Sequence, residues 1–222
     1  MIRDVDVAVI GGGPAGLAAA LGARRAGARV LLLERDDRLG GILNQCIHDG
    51  FGLVLYNESI SGPEYAERLA EDAVREGIVV ETGAMVLDLA AVRTMRVNSR
   101  GGYGLVRAKA VILAMGCRER TRDMIEIPGD RPAGVWTAGT AQNLVNLRNL
   151  RIGNEIVILG SGDIGLIMAR RLTFEGLRVK GVFEILPWAG GLERNVRQCL
   201  FDFSIPLELS TTVIDIRGRE RV

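Results

Sequence analysis

The chain has 222 residues, 48% apolar and 25% charged, with a formal net charge of +1; this is a globular composition of one large or two small domains, with no global field to draw in nucleic acid. One histidine and three cysteines, Cys46, Cys117 and Cys199, contain no C-x-x-C, which argues against a zinc site and a disulfide framework. The opening MIRDVDVAVI lacks the apolar core and cleavage site of a signal peptide, and no apolar run approaches the roughly 18 residues of a membrane span, so a soluble, cytoplasmic protein is expected.

Val5 to Ile10 reads as a strand, apolar except for Asp6, followed by an Ala/Leu-rich helix from Pro14 to Arg25 that Gly27 stops, and by a second strand from Arg29 to Glu34. Strands that are apolar throughout are buried on both faces, so this is a βαβ unit of a parallel sheet. Asp36 to Gly62 is too rich in Gly, Asn and Asp for a regular element and reads as a long functional loop. Ser61 and Glu64 have capping-box spacing and Pro63 suits a first turn, predicting a helix to about Glu76, closed by Gly77. A third strand follows at Ile78 to Glu81. Val86 to Leu89, Thr94 to Asn98 and Gly104 to Lys109 alternate as a small antiparallel meander, and Ala110 to Met115 returns to the buried parallel type. Gly116 to Asn154 is rich in Arg, Pro and Gly, contains the domain boundary, and carries a short helix at Thr140 to Arg148. Then the opening pattern restarts: strand Ile156 to Leu159, helix Ile164 to Phe174, breaker Gly176, strand Val179 to Glu184.

The two strand-to-helix joints are Gly11-x-Gly13-x-x-Gly16 and Gly160-x-Gly162-x-x-Gly165. In such a joint the first glycine allows the tight turn, the second lets a pyrophosphate approach the backbone, and the third lets helix and strand pack closely. The helix start presents free N–H groups to the phosphates. An acid roughly 20 residues on should meet a ribose, and Glu34 and Glu184 end the following strands. A carboxylate there accepts a bond from a 2′-hydroxyl and repels a 2′-phosphate, favouring NAD(H) over NADP(H). Two dinucleotides in one chain suggest electron transfer between a flavin and a nicotinamide.

DVDVAVIGGGPAGLAAALGARRAGARVLLLERDDRLGG resembles the FAD-binding start of the two-dinucleotide flavoproteins, the pyridine nucleotide-disulfide oxidoreductases. AVILAMGCRER resembles that family's second flavin strand, with Ala114-Met115-Gly116 where Ala-Thr-Gly is usual, and IPGDRPAGVWTAG resembles the crossover into its NAD domain. GGILNQCIHDGFG, MGCRER and SGDIGLIMARRL are similar in texture to NADH-linked subunits found beside glycerol-3-phosphate dehydrogenase-like partners and related to alpha-type subunits of sarcosine, opine and hydroxyproline dehydrogenases. The resemblance covers essentially the whole chain. It implies an α/β fold of two Rossmann-like units, three-layered with a small antiparallel meander: a FAD-binding domain over residues 1–117 and a NAD-binding domain over 118–222. It also implies a small-molecule electron donor or acceptor and a partner flavoprotein dehydrogenase subunit. The family continues beyond the point where VIDIRGRERV, read as the first arm of a hairpin, closes this sequence; the chain is expected to be an N-terminal fragment lacking the closing part of the flavin domain.

On that resemblance Gly11, Gly13, Pro14, Ala15, Gly16, Glu34, Arg35, Gly41, Val86, Ala114 and Gly116 meet the flavin dinucleotide, and Gly160, Gly162, Asp163, Ile164, Gly165 and Glu184 the pyridine nucleotide. Disulfide reductases need an attacking and a resolving cysteine. Only Cys46 follows Gly40-Gly41, and Ala138 and Ala141 stand where related reductases carry C-x-x-C, so disulfide reduction is not expected. For Cys46 and His48 two readings stand each: a single redox cysteine or a loop cysteine, a proton donor or a loop histidine. Cys117 and Cys199 read as packing residues. The run Arg118 to Arg122 either steers phosphate or is a solvated face, and Trp188 with Gly190-Gly191 either flanks the NAD adenosine or packs a loop. The function expected is hydride transfer between NAD(H) and FAD without metal or protein nucleophile; a single-cysteine NADH oxidase or peroxidase, and a non-catalytic cofactor-binding subunit, are the alternatives.

Overall fold

In the computed structural model, which describes residues 2–222, the first apolar run becomes β1 (Ile2–Ile10), followed by α1 (Pro14–Arg25) and the fully buried β2 (Val30–Leu33). β1 begins earlier than its apolar run because its charged start is also paired, Ile2, Arg3 and Asp4 lying opposite Leu105, Val106 and Arg107, with ion pairs from Arg3 to Glu81 at 2.7 Å and from Asp4 to Arg107 at 3.6 Å. Asp6, the polar break in the run, accepts the Arg29 N–H at 2.9 Å and Nε at 3.0 Å and meets Lys109 Nζ at 2.8 Å. The Arg29 guanidinium, then Lys109, hold its carboxyl well below the usual carboxylate range.

The long loop is more ordered than its composition predicts. It holds a 3-10 turn (Gly41–Gln45) and an antiparallel pair, β3 (Asp49–Phe51) and β4 (Ile60–Ser61), before α2 (Gly62–Arg75). As expected from the capping box, the Glu64 N–H donates to Ser61 Oγ, at 3.4 Å. β5 (Val79–Glu81), β6 (Met85–Leu89), β7 (Thr94–Ser99) and β8 (Gly102–Leu113) follow. The two segments read as separate strands, Gly104 to Lys109 and Ala110 to Met115, are one strand: β8 pairs antiparallel with β7 over its first half while lying parallel to β1 along most of its length. The change of pattern within it marks the point where its second neighbour is lost, not a break in the chain.

The resulting sheet has the order β5-β2-β1-β8-β7-β6. Alternate residues of its parallel part serve two cores. Val9, Val30 and Leu32 pack under Leu17, Ala20, Leu21, Leu69 and Ala73 of α1 and α2, whereas Ala8, Ile10, Leu31 and Leu33 pack against Met95, Val97, Val106 and Ala108 of the meander. Helices, parallel sheet and meander form three layers, and burial on both sides explains why β2 contains no polar residue.

The chain divides into two compact units, one ending at Cys117 and the next running from Arg118 to Val222. The second unit contains α3 (Ala138–Asn146), β9 (Glu155–Leu159), α4 (Asp163–Phe174), β10 (Arg178–Phe183), α5 (Glu193–Cys199) and β11 (Leu207–Glu208). Its parallel sheet, β11-β10-β9, repeats the order β5-β2-β1 of the first unit. α5 and β11 escape a periodicity reading because they are too short for a clear period. The segment read as a hairpin arm instead makes two isolated parallel bridges, Gly129 with Ile216 and Ala133 with Arg221.

Candidate functional site

At the first joint β1 runs into Gly11, whose φ of +106° favours glycine and whose N–H donates to the Leu33 carbonyl at 2.8 Å. A Cβ on Gly11 would lie 2.3 Å from the Ala114 carbonyl oxygen, and one on Gly16 only 1.8 Å from that of Gly11. Gly13 differs: a Cβ there would meet nothing nearer than the Gly41 Cα, at 4.0 Å. Gly13 is the N-cap of α1 and Pro14 follows, but no side chain caps that helix, whereas Ser61 and Thr137 cap α2 and α3. The first and third glycines are therefore required by the fold itself; the second leaves room above uncapped N–H groups, the shape and polarity that suit a phosphate.

Glu34, 6% exposed, closes this joint. The Gly12 N–H donates to its Oε2 at 2.6 Å and the Asp36 N–H to its Oε1 at 2.8 Å. An ionised carboxylate offers about four acceptor positions, so each oxygen retains one for a ribose hydroxyl.

The second unit repeats the backbone wiring of this turn. The Gly160 N–H donates to the Phe183 carbonyl at 2.7 Å, as Gly11 does to Leu33. The Glu184 N–H donates to the Glu208 carbonyl at 2.9 Å and its own carbonyl accepts from Thr211 at 2.9 Å, matching Glu34 with Glu81 and Ala84 at 2.9 and 2.8 Å. Gly160 has φ +98°, a Cβ on Gly165 would stand 2.6 Å from the Gly160 oxygen, and Gly162 again has open space. The Glu184 side chain, 7% exposed, accepts from the Ser161 N–H at 2.9 Å, the Ser161 hydroxyl at 2.6 Å and the Leu186 N–H at 3.0 Å. The Ser161 hydroxyl leads these bonds in holding its carboxyl below the ordinary value, against the opposing effect of burial.

The duplication also reaches a Gly-Gly pair at the same offset beyond each acid, Gly40-Gly41 and Gly190-Gly191. The Gly40 N–H donates to the Gly12 carbonyl at 2.8 Å, and the Gly190 N–H to Ser161 Oγ at 2.8 Å. Matching the offsets finds this repeat in the sequence; a search that stops at the glycine fingerprint misses it.

The other expected contact residues fall at varied distances from these turns. Gly41 lies beside Gly13, Ala114 donates to the Ile10 carbonyl at 2.8 Å, and Gly116 follows with φ +71°. Ala15 and Arg35 are exposed next to the first turn, the latter 3.9 Å from Asp36. Val86 sits on β6, packed against the meander core and two residues beyond Ala84, the partner of the Glu34 carbonyl. In the second unit Ile164 is half exposed, and Asp163 Oδ1 is occupied by the Leu192 N–H and Asn195 Nδ2, both at 2.8 Å.

Cys46 closes the 3-10 turn, its carbonyl accepting from the Gly62 N–H at 2.9 Å at the start of α2. His48 Nδ1 donates to the Asp49 carbonyl at 3.0 Å and its ring stands 5.2 Å from that of Phe51. Cys117 is exposed; Cys199 is buried, and burial pushes its thiol up, away from the reactive thiolate. Trp188 is exposed. The Arg118 to Arg122 run is more than a solvated face: Glu119 takes the Gly139 N–H at the start of α3 at 2.8 Å, and Arg122 donates to the carbonyls of Ile127 at 3.0 Å, Gly129 at 3.1 Å and Asp130. Arg122→Ala should therefore destabilise the second unit by about 1–3 kcal/mol, measured by denaturant melting, because three carbonyls lose a charged donor at once. Among the described residues no cluster of His, Cys, Asp or Glu is arranged to hold a metal ion, and no helix is long and apolar enough to cross a membrane.

Comparison with known proteins agrees with this architecture. The chain is 30% identical over 208 residues to an opine oxidase subunit from Agrobacterium tumefaciens (strain Ach5), an alignment covering 88% of this chain and 40% of that one. It is 31% identical over 168 residues to the alpha subunit of sarcosine oxidase from Corynebacterium sp. (strain U-96), covering 71% and 17%. The chain thus spans less than half the length of these relatives. The fold is shared with Lactococcus lactis thioredoxin reductase, at a TM-score of 0.72 and 23% identity, covering 98% of this chain and 68% of that one. Residues 5–221 match the family described as pyridine nucleotide-disulphide oxidoreductase, and with its two glycine-rich joints, each closed by a buried glutamate, the chain belongs to that family of oxidoreductases.

Proposed function

We propose that this chain is the dinucleotide-handling part of a flavoprotein, binding FAD in the unit that ends at Cys117 and NAD(H) in the unit that begins at Arg118. The observation that carries the reading is the repeated joint: open space at Gly13 and Gly162, uncapped helix starts behind them, and a buried glutamate bonded to each turn. These residues fit both groups. The N–H groups following Gly13 and Gly162 hold the pyrophosphates, Glu34 and Glu184 take ribose hydroxyls, and the Glu184 charge turns away a 2′-phosphate. The cofactors themselves supply the hydride chemistry; the protein contributes orientation and the exclusion of competing ligands.

Disulfide reduction is not the activity proposed. The start of α3, where resemblance puts the paired cysteines of the reductases, carries Ala138 and Ala141, and its Gly139 N–H is engaged by Glu119. The named relatives are subunits of oxidases. We therefore infer that a partner dehydrogenase subunit, or a small substrate, exchanges electrons with the flavin.

The test is to purify the chain with FAD, record its visible spectrum, and add NADH or NADPH without oxygen. Flavin absorbance that bleaches with NADH and not with NADPH is expected, and Cys46→Ser should leave the bleaching rate within about twofold, since no cysteine nucleophile is required. Bound flavin that NADH fails to reduce would overturn the hydride reading. Bleaching that persists in Cys46→Ser while NADH turnover with oxygen or peroxide is abolished would favour the single-cysteine oxidase or peroxidase instead.

A further inference from the structure

The residue that follows the first glycine differs between the two joints. Where the first has Gly12, with only an N–H to offer Glu34, the second has Ser161, fully buried, whose hydroxyl donates to Glu184 Oε2 at 2.6 Å while accepting the Gly190 N–H at 2.8 Å. A hydroxyl has a single proton to give. With Gly190 fixing its acceptor side, that proton is committed to the carboxylate.

We propose that Ser161 is the positioning residue that sets the pyridine-nucleotide preference of the second joint, by tying the Glu184 carboxylate to the Gly190-Gly191 loop. This rests on reading that joint as the NAD(H) site. Oε2 of Glu184 is filled by the N–H and O–H of Ser161, and Oε1 accepts from Leu186, so only Oε1 can still meet a ribose hydroxyl. Glu34 retains an acceptor position on each oxygen. The second joint therefore presents a single oriented acceptor to a ribose hydroxyl, and a charge that cannot swing aside for a phosphate.

The loop carrying Gly190 is pinned at a second point. The Leu192 N–H reaches Asp163 Oδ1 at 2.8 Å, and a Cβ on Gly191 would come within 2.8 Å of that same oxygen and 3.0 Å of the Ser161 carbonyl oxygen. Serine and glycine pair form one clasp: the Ser161 hydroxyl satisfies Gly190, and the bare Gly191 lets the loop lie against Asp163 and the Ser161 carbonyl. In the first joint the equivalent bond, Gly40 to the Gly12 carbonyl, bypasses the acid altogether.

Ser161→Ala and Ser161→Gly, the latter copying Gly12, separate this role from simple support. The measurements are Kd for NADH and for NADPH by titration, amide exchange across residues 186–192, and flavin content. Both variants should weaken NADH about three- to tenfold, the scale of one ordinary hydrogen bond, with NADPH unchanged within about twofold and exchange at Gly190 accelerated. An unchanged NADH-to-NADPH ratio overturns the proposal, as does an equal loss for both nucleotides, which would mean structural damage. Should the unaltered protein bind neither nucleotide, the NAD(H) reading falls and this inference with it; NADH binding with an unaltered ratio in both variants removes the inference alone.

Discussion

Gly13→Ala is expected to leave the first unit folded and strip it of flavin, while Gly16→Ala unfolds it. Both change a glycine of the same turn by one methyl group. On Gly16 that methyl would stand 1.8 Å from the Gly11 carbonyl oxygen, and neither partner can retreat, because Gly11 is itself wedged against the Ala114 backbone. The overlap should cost more than about 3 kcal/mol, shown as a large drop in melting temperature or as insoluble protein. Gly13 sits at φ −74° with its nearest prospective neighbour 4.0 Å away, so alanine there is unstrained and loses only the better N-cap, at most about 1 kcal/mol. What its methyl fills is the space above the N–H groups of α1. Flavin retained per chain should fall at least tenfold with melting nearly unchanged. Retention of flavin by folded Gly13→Ala would show that no phosphate lies against that glycine.

This contrast also shows why the glycine spacing is readable from sequence. The positive φ of Gly11 and the press of Gly16 on the Gly11 carbonyl both arise within one turn, so their spacing is local information, as is the capping of α2 by Ser61. Buried strands are equally legible, since Val30 to Leu33 is apolar on both faces. What escapes depends on distant partners. β8 looks like two strands because β7 leaves it partway, and no local pattern announces that. The hairpin of β3 and β4 stays hidden in a stretch rich in turn residues. Arg122 reads as part of a charge run until the carbonyls of Ile127, Gly129 and Asp130 are seen folded around it. The clasp of Ser161 and Gly190 is half visible, in a Gly-Gly pair repeated at one offset from each acid, but the hydroxyl that joins it to Glu184 is a matter of geometry alone.

Glu184 is where stability and selectivity meet, and its removal should affect both. Glu184→Ala leaves the Ser161 N–H, the Ser161 hydroxyl and the Leu186 N–H without their acceptor in a buried site, a loss of about 2–4 kcal/mol by denaturant melting at neutral pH. Glu184→Gln keeps the shape and one acceptor oxygen but turns an NH2 group toward donors, so its stability should fall between those of the unaltered protein and Glu184→Ala. The pH dependence has a definite sign. The folded-state carboxyl is held below its ordinary value, chiefly by the Ser161 hydroxyl, so its stabilising contribution is complete above the unfolded carboxyl's pKa, about 4.3, and is lost as pH falls through the lower folded value. The stability gap between the unaltered protein and Glu184→Gln should therefore hold from pH 7 to about 5 and shrink below about 4. A gap that grew on acidification would mean the carboxyl is protonated in the folded protein. Loss of the charge should also relax discrimination against NADPH by at least about tenfold, because a 2′-phosphate would no longer face a fixed carboxylate. Discrimination that survived Glu184→Gln intact would move the specificity determinant to another residue, whatever the melting curves showed.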